Sequence, residues 1–299
     1  MNHVQGSMAT MFALVLGVLG LSACGDDSGD ATTQTTTTTA ATDATTQTPT
    51  TTATTDALTT TDAPTTTDGE SETGTTGGEG SDDVVEIAIR RLNPNQDVDA
   101  FAATRDAFVA LLKAQPGVGT DREFVSFLDY AIFMPPDPPV YVGMTQYDSL
   151  ADFAAAGEVL GNTPEAGAFF STFTPELFTV LTPLEPGAPV DLAGVADGPG
   201  QVLEIAVRDL KNYANFDPAD YASKRDAFLT LLSAQAGFVA EYQWVSVLDP
   251  DLAVGMTVYE SAEAFAALSM DQGFIGAPEV AAFLGAYPPT GGHVNAVVK

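Results

Sequence analysis

Residues 142–153, VGMTQYDSLADF, return as residues 254–265, VGMTVYESAEAF, and a chain that repeats itself in this way builds two copies of one unit. Three further segments recur in the same order. VVEIAIR (84–90) returns as VLEIAVR (202–208), RDAFVALLKAQPG (105–117) as RDAFLTLLSAQAG (225–237), and FVSFLD (124–129) as WVSVLD (244–249). The copies are spaced by 118 residues at the first of these, by 120 at the next two, and by 112 at VGMT. Spacing that changes only between segments places the length differences in loops. The drop to 112 falls across the Pro-rich stretch YAIFMPPDPP (130–139), which the second copy lacks.

Within a copy, periodicity gives the elements. Residues 84–90 alternate, Val85, Ile87 and Ile89 on one face and Glu86, Ala88 and Arg90 on the other, which predicts a strand with two unlike faces. A helix follows over 98–115 and ends at Pro116-Gly117. Strands are predicted at 123–129 and 140–147, then a helix at 149–160, a short apolar stretch at 168–173 and a last strand at 177–181. In the second copy Asp217-Pro218 supplies an N-cap with proline at the first helical position. The order is β-α-β-β-α-β, a ferredoxin-like plan, in two modules at 83–184 and 201–299. Between them, 185–200 carries three prolines and four glycines and reads as a linker. Each module leaves one sheet face bare, and two such faces can cover one another. The linker then keeps the twin at high effective concentration, so the chain is expected to be a monomeric pseudo-dimer.

The first quarter of the chain cannot join a core. Residues 11–23 are an apolar run of signal-peptide length, too short for a comfortable membrane span. They end in Leu21-Ser22-Ala23-Cys24, which resembles the lipobox of bacterial lipoproteins, although no Lys or Arg precedes the run. The resemblance implies cleavage after residue 23, lipid attachment at Cys24, and a protein anchored to a membrane outside the cytoplasm. Residues 24–82 are Thr-rich with almost nothing to bury, so they are expected to be a disordered tether spanning on the order of 40 Å. Cys24 is the only cysteine, so no intrachain disulfide forms. The net charge of −30 argues against nucleic acid as a partner.

The two modules resemble the antibiotic biosynthesis monooxygenase superfamily of dimeric α+β barrels. The element order, the helix running into a glycine turn, and the aromatic-acid-Ser ending of the third strand (Tyr147-Asp148-Ser149, Tyr259-Glu260-Ser261) carry the likeness. What it implies is an α+β fold, here two tandem modules packed as an intrachain pseudo-dimeric barrel. It also implies a ligand site between sheet and helices or within the barrel, and cofactor-free oxygenation of phenolic or quinone-like substrates as one activity. The superfamily's aromatic slot falls on Tyr147 and Tyr259, but its helical His slot falls on Ala156 and Leu268. Haem chemistry is therefore not implied, and no cofactor is expected.

Placing the apolar strand faces against the helices leaves Glu86, Arg90, Ser126 and Tyr147, with Glu204, Arg208, Ser246 and Tyr259 of the second copy, facing the interior between the sheets. Trp244, which replaces Phe124, joins them. Such an interior is either a polar pocket for a small aromatic ligand or a charge-paired interface in which each Arg neutralises a Glu. No Ser-His-Asp set, phosphate loop or metal-ligand spacing appears, and His293 stands alone near the end of the chain. Two functions stay open: a non-catalytic module that binds a small apolar or aromatic molecule or a partner, and a cofactor-independent monooxygenase.

Overall fold

The structure is a computed structural model that describes residues 82–298; the apolar run, Cys24 and nearly all of the Thr-rich segment lie outside the described residues. The first half runs β1 (Val84–Leu92), α1 (Val98–Leu112), β2 (Val118–Asp129), β3 (Val140–Tyr147), α2 (Leu150–Leu160), α3 (Pro164–Phe170) and β4 (Phe173–Pro183). The second runs β5 (Val202–Asp209), α4 (Pro218–Ser233), β6 (Phe238–Ser246), β7 (Leu252–Tyr259), α5 (Ala262–Leu268), α6 (Gln272–Ile275), α7 (Pro278–Ala286) and β8 (Gly291–Val297). Asp217 caps α4 as its sequence suggests, accepting from the Ala219 and Asp220 amides. Both first helices give way to a glycine at positive φ, Gly117 at 71° and Gly237 at 83°. The helix α3 was not expected. Residues 168–170 of the apolar stretch are its C-terminal end, and Thr163 with Pro164 starts it in the same way, the Thr163 hydroxyl accepting from the Ala166 amide.

The strands close into an antiparallel barrel in the order β1-β3-β2-β8-β5-β7-β6-β4. Each half contributes four neighbours in the same internal order, β4-β1-β3-β2 and β8-β5-β7-β6, and equivalent residues pair alike: Glu86 opposes Thr145 as Glu204 opposes Thr257. Two seams join the halves. At one, β2 runs against β8 from Phe124–Val297 to Asp129–His293; at the other, only Leu181, Thr182 and Pro183 of β4 meet β6.

The faces of β1, β3, β5 and β7 are the reverse of the expected ones, while Phe124 and Trp244 of β2 and β6 face the interior as expected. Val85, Ile87, Ile89, Val142 and Met144 of the first half and Leu203, Ile205, Val254, Met256 and Val258 of the second form one buried cluster with Phe124 and Trp244 inside the barrel. The apolar rows pack on each other, and the polar rows turn outward to the helices. Closing the barrel lets the apolar rows of both halves remove one another from water. Each such side chain contributes roughly 1.5–3 kcal/mol when fully buried. Asn295, Ser126, Thr179, Ser246 and His293 are buried among the few polar residues of these strands.

The linker is also more than a connection. Val190, Leu192, Val195 and Ala196 belong to the barrel cluster. Arg122 of β2 donates to the Ala193 and Ala196 carbonyls at 2.9 and 3.1 Å, and the Gln146 side chain bonds both the Val190 carbonyl and the Leu192 amide. Leu192 is 1% exposed. Leu192→Ala should therefore lower unfolding free energy by about 2–5 kcal/mol in a urea titration, as a core truncation does; a change within about 0.5 kcal/mol would mark the segment as a passive tether.

Candidate functional site

Turning the polar rows outward creates a site between sheet and helices. In the first half, a cavity of about 310 Å³ lies over the outer face of β1, β2 and β3. Its floor is Glu86, Ala88, Arg90, Asp121, Glu123, Gly143 and Thr145, and its walls come from α1, α3 and β4, including Phe108, Leu112, Phe169, Phe170, Phe173 and Phe178. The volume suits a small organic ligand. Phe108, Phe169, Phe170 and Phe173 form one aromatic network: Phe108 and Phe169 stack with centroids 5.1 Å apart, and Phe173 meets Phe169 edge-on at 5.0 Å.

The floor is charged and ordered. Arg90 Nη2 donates to both Glu123 oxygens at 2.8 Å, and both residues are buried. The guanidinium also lies 5.2 Å from the Phe169 ring centre and 5.6 Å from that of Phe173. It fits because residue 143 is glycine, where a Cβ would come within 2.3 Å of Arg90 Nη2. The Tyr147 hydroxyl donates to Glu86 Oε2 at 2.7 Å, and the Thr145 hydroxyl to Asp121 Oδ1 at 3.2 Å. Burial pushes the Glu86, Asp121 and Glu123 carboxyls above the usual carboxylate range, with Tyr147 and Arg90 opposing the rise at Glu86. The surface thus sets carboxyls of raised proton affinity beneath an aromatic wall.

At the equivalent place in the second half, Glu204 accepts from two tyrosines, Tyr259 at Oε2 (2.6 Å) and Tyr130 at Oε1 in a short contact. Gln243 stands where the first half has Glu123, so Arg208 lacks the bidentate partner. It donates to the Tyr287 carbonyl at 3.0 Å and sits 4.7 Å over the Phe283 ring. Glu241, the counterpart of Asp121, accepts from Thr257 and Gln243 in short hydrogen bonds. Part of the residue reaches the surface, but its carboxyl is enclosed, and burial pushes it up to about 8.

Of the residues singled out from sequence, Glu86 and Arg90 line the cavity, and Tyr147 holds Glu86. Glu204, Arg208 and Tyr259 occupy the matching positions of the second half. Ser126, Ser246 and Trp244 do not join them: all three point into the barrel. The Ser126 hydroxyl donates to the Leu128 carbonyl and lies 3.1 Å from His293 Nδ1; Ser246 pairs with Thr179 at 2.5 Å; Trp244 Nε1 has no hydrogen-bond partner among the described residues. Alternation on β2 places Asp121 and Glu123 on the floor. That signal was present in the sequence, but the strand begins at Val118 rather than 123, so the two acids lay at or beyond its expected start. Among the described residues, no group of His, Cys, Asp and Glu is placed to hold a metal ion.

The site belongs to an α+β barrel, and solved structures of that kind resemble the chain. An anthrone oxidase-like protein is 12% identical, the match covering 73% of this chain and 92% of that one with a TM-score of 0.47. Chlorite dismutase from Candidatus Nitrospira defluvii is 12% identical, covering 73% and 92%, with a TM-score of 0.43. SnoaB, a cofactor-independent oxygenase from Streptomyces nogalater, is 18% identical, covering 37% of this chain and 97% of that one, with a TM-score of 0.28. No protein-family model matches the sequence, and no curated protein matches it.

Two outcomes follow from the charged floor. Arg90→Met leaves Glu123 buried without its partner and should cost about 3–5 kcal/mol in urea unfolding, most of it recovered in the double variant with Glu123→Met. Recovery of nothing would show that the pair is not what Arg90 is for. As for pH, Glu241 titrates near 4.5 when unfolded and near 8 when folded. Its protonated form contributes stability that is complete below about pH 4.5 and lost as pH rises through about 8. Glu86, Asp121 and Glu123 add slope of the same sign. Unfolding free energy should fall by on the order of a few kcal/mol from pH 5 to 8, and Glu241→Gln should flatten that slope.

Proposed function

We propose that the protein is a binding module for a small hydroxylated aromatic molecule, taken up in the cavity of the first half. The carrying observation is the pairing of a five-phenylalanine wall with the Glu86 carboxyl on the opposite side of the cavity. One Glu86 oxygen is bonded by Tyr147, and the other has no hydrogen-bond partner among the described residues. A flat ring satisfies the wall, and a hydroxyl donor satisfies the remaining oxygen. The matching carboxyl, Glu204, supports this reading, since a phenol hydroxyl, that of Tyr130, donates to it. We read the two halves as tandem ferredoxin-like modules making a monomeric pseudo-dimer, and we place the protein on a membrane surface outside the cytoplasm through a lipid at Cys24. Neither nucleic acid nor a cofactor enters this reading.

One observation favours a second reading, cofactor-independent oxygenation of the same molecule. Burial gives Glu86 a raised proton affinity beside the cavity, which suits a base that takes the proton of a bound hydroxyarene before oxygen attacks the electron-rich ring. An oxygen electrode separates the two: binding without oxygen uptake supports the module, and turnover lost in Glu86→Gln supports the oxygenase.

Binding itself is read from the ligand's own fluorescence, because Trp244 lies in the barrel core and does not line the cavity. 2-Naphthol should titrate saturably, and Glu86→Gln should weaken it about 10- to 100-fold, the worth of one hydrogen bond to a charged group. Naphthalene should bind correspondingly less well. No saturable change up to the solubility limit would overturn the proposal.

A further inference from the structure

Both floors keep a Glu and an Arg from their first strand, Glu86 with Arg90 and Glu204 with Arg208, but the lids differ. On β4, Phe178 stands opposite Ala88 and forms part of the cavity wall; the matching residue of β8, opposite Ala206, is Gly292. A Cβ at Gly292 would lie 2.3 Å from the Ile205 carbonyl oxygen and 3.0 Å from Tyr130 Cδ2, so the glycine admits both the β5 backbone and the Tyr130 ring. Tyr130 comes from the other half. It opens the 130–139 insert between β2 and β3, where β6 and β7 are joined by only residues 247–251. Its amide donates to the Gly292 carbonyl at 3.0 Å, its hydroxyl donates to Glu204, and its ring packs in the cluster of Leu232, Tyr259 and Phe265. The loop is pinned behind it by the Asp129 amide, which donates to the Met134 carbonyl at 3.0 Å, and by Phe133, whose ring stacks 6.2 Å from that of Tyr130.

From this geometry we propose that the second half carries a second hydroxyarene site, centred on Glu204 and kept shut by Tyr130 as an internal ligand. The inference rests on the binding reading of the first half for its ligand class. It adds that duplication made two sites and that the insert closes one. The sequence marks the event directly: the spacing of the copies falls from 120 to 112 across the residues that form the plug.

The experiment uses the chain with 4-fluorophenol, whose fluorine resonance reports each bound environment separately. The wild-type protein should show one bound resonance, lost in Glu86→Gln. Tyr130→Ala should show two, the new one lost when Glu204→Gln is added. If Tyr130→Ala does not fold, Tyr130→Leu, which keeps most of the packing and removes the hydroxyl, is read in its place. A folded Tyr130 variant with a single Glu86-dependent resonance overturns the second site and leaves the first intact. Two bound resonances in the wild type overturn the plug. A Glu204-dependent resonance in the variant, with none in the wild type, supports the second site and overturns the reading of the first. Silence in both overturns both.

Discussion

Burial of two apolar sheet faces against each other governs where every polar group in this molecule can go. Val85, Ile87 and Ile89 meet Leu203, Ile205 and Val207 within one cluster, joined by Phe124 and Trp244. Strand side chains alternate, so committing one row to the barrel interior commits Glu86, Ala88 and Arg90 to the opposite surface. Those charges then lie under the helices rather than in water. Arg90 and Glu123 meet there because an isolated buried charge is far more costly than a paired one. The cavity follows: the helices are held off the sheet by polar groups on one side and by a layer of phenylalanines on the other.

Fusion of the halves changes what the symmetry allows. In a homodimer, each substitution appears twice, so a plug in one site is a plug in both. Within one chain, Glu123 faces Gln243, Phe124 faces Trp244 and Phe178 faces Gly292 as independent choices. Backbone pairing stays alike in the two halves while the outer faces diverge. Inside the barrel Val142 and Met144 recur as Val254 and Met256, and Phe124 gives way to Trp244; the outer faces differ in charge and in lid. Packing inside the closed barrel tolerates little change in volume, whereas the outer face is partly open.

Much of the fold was legible because it rests on local periodicity. Alternation located β1 and β5, the N-cap at Asp217 started α4, and the glycines ended the first helices. Misreadings arose where a decision depends on partners distant in sequence. The assignment of apolar rows to the helices assumed that helices offer the best apolar surface; here the other sheet does. Ser126, Ser246 and Trp244 were placed correctly inside the barrel, but the barrel interior is not the cavity. Asp121 was missed because β2 starts five residues earlier than its apolar signal, and Glu123 because the site was sought inside the barrel and not on the helix-facing row.

By itself, then, the sequence determined the duplication, the order of most elements, the loop that distinguishes the copies and the pairing of like segments, all of which are written in spacing and period. Only the tertiary structure decided which face of each sheet points inward, that the linker enters the core through Leu192, and that Tyr130 crosses from its own half to Glu204 of the other. Those outcomes turn on competition between burials that bring together residues more than forty positions apart. No local pattern encodes which burial wins, because the winner is set by the total apolar area removed from water once both halves are folded.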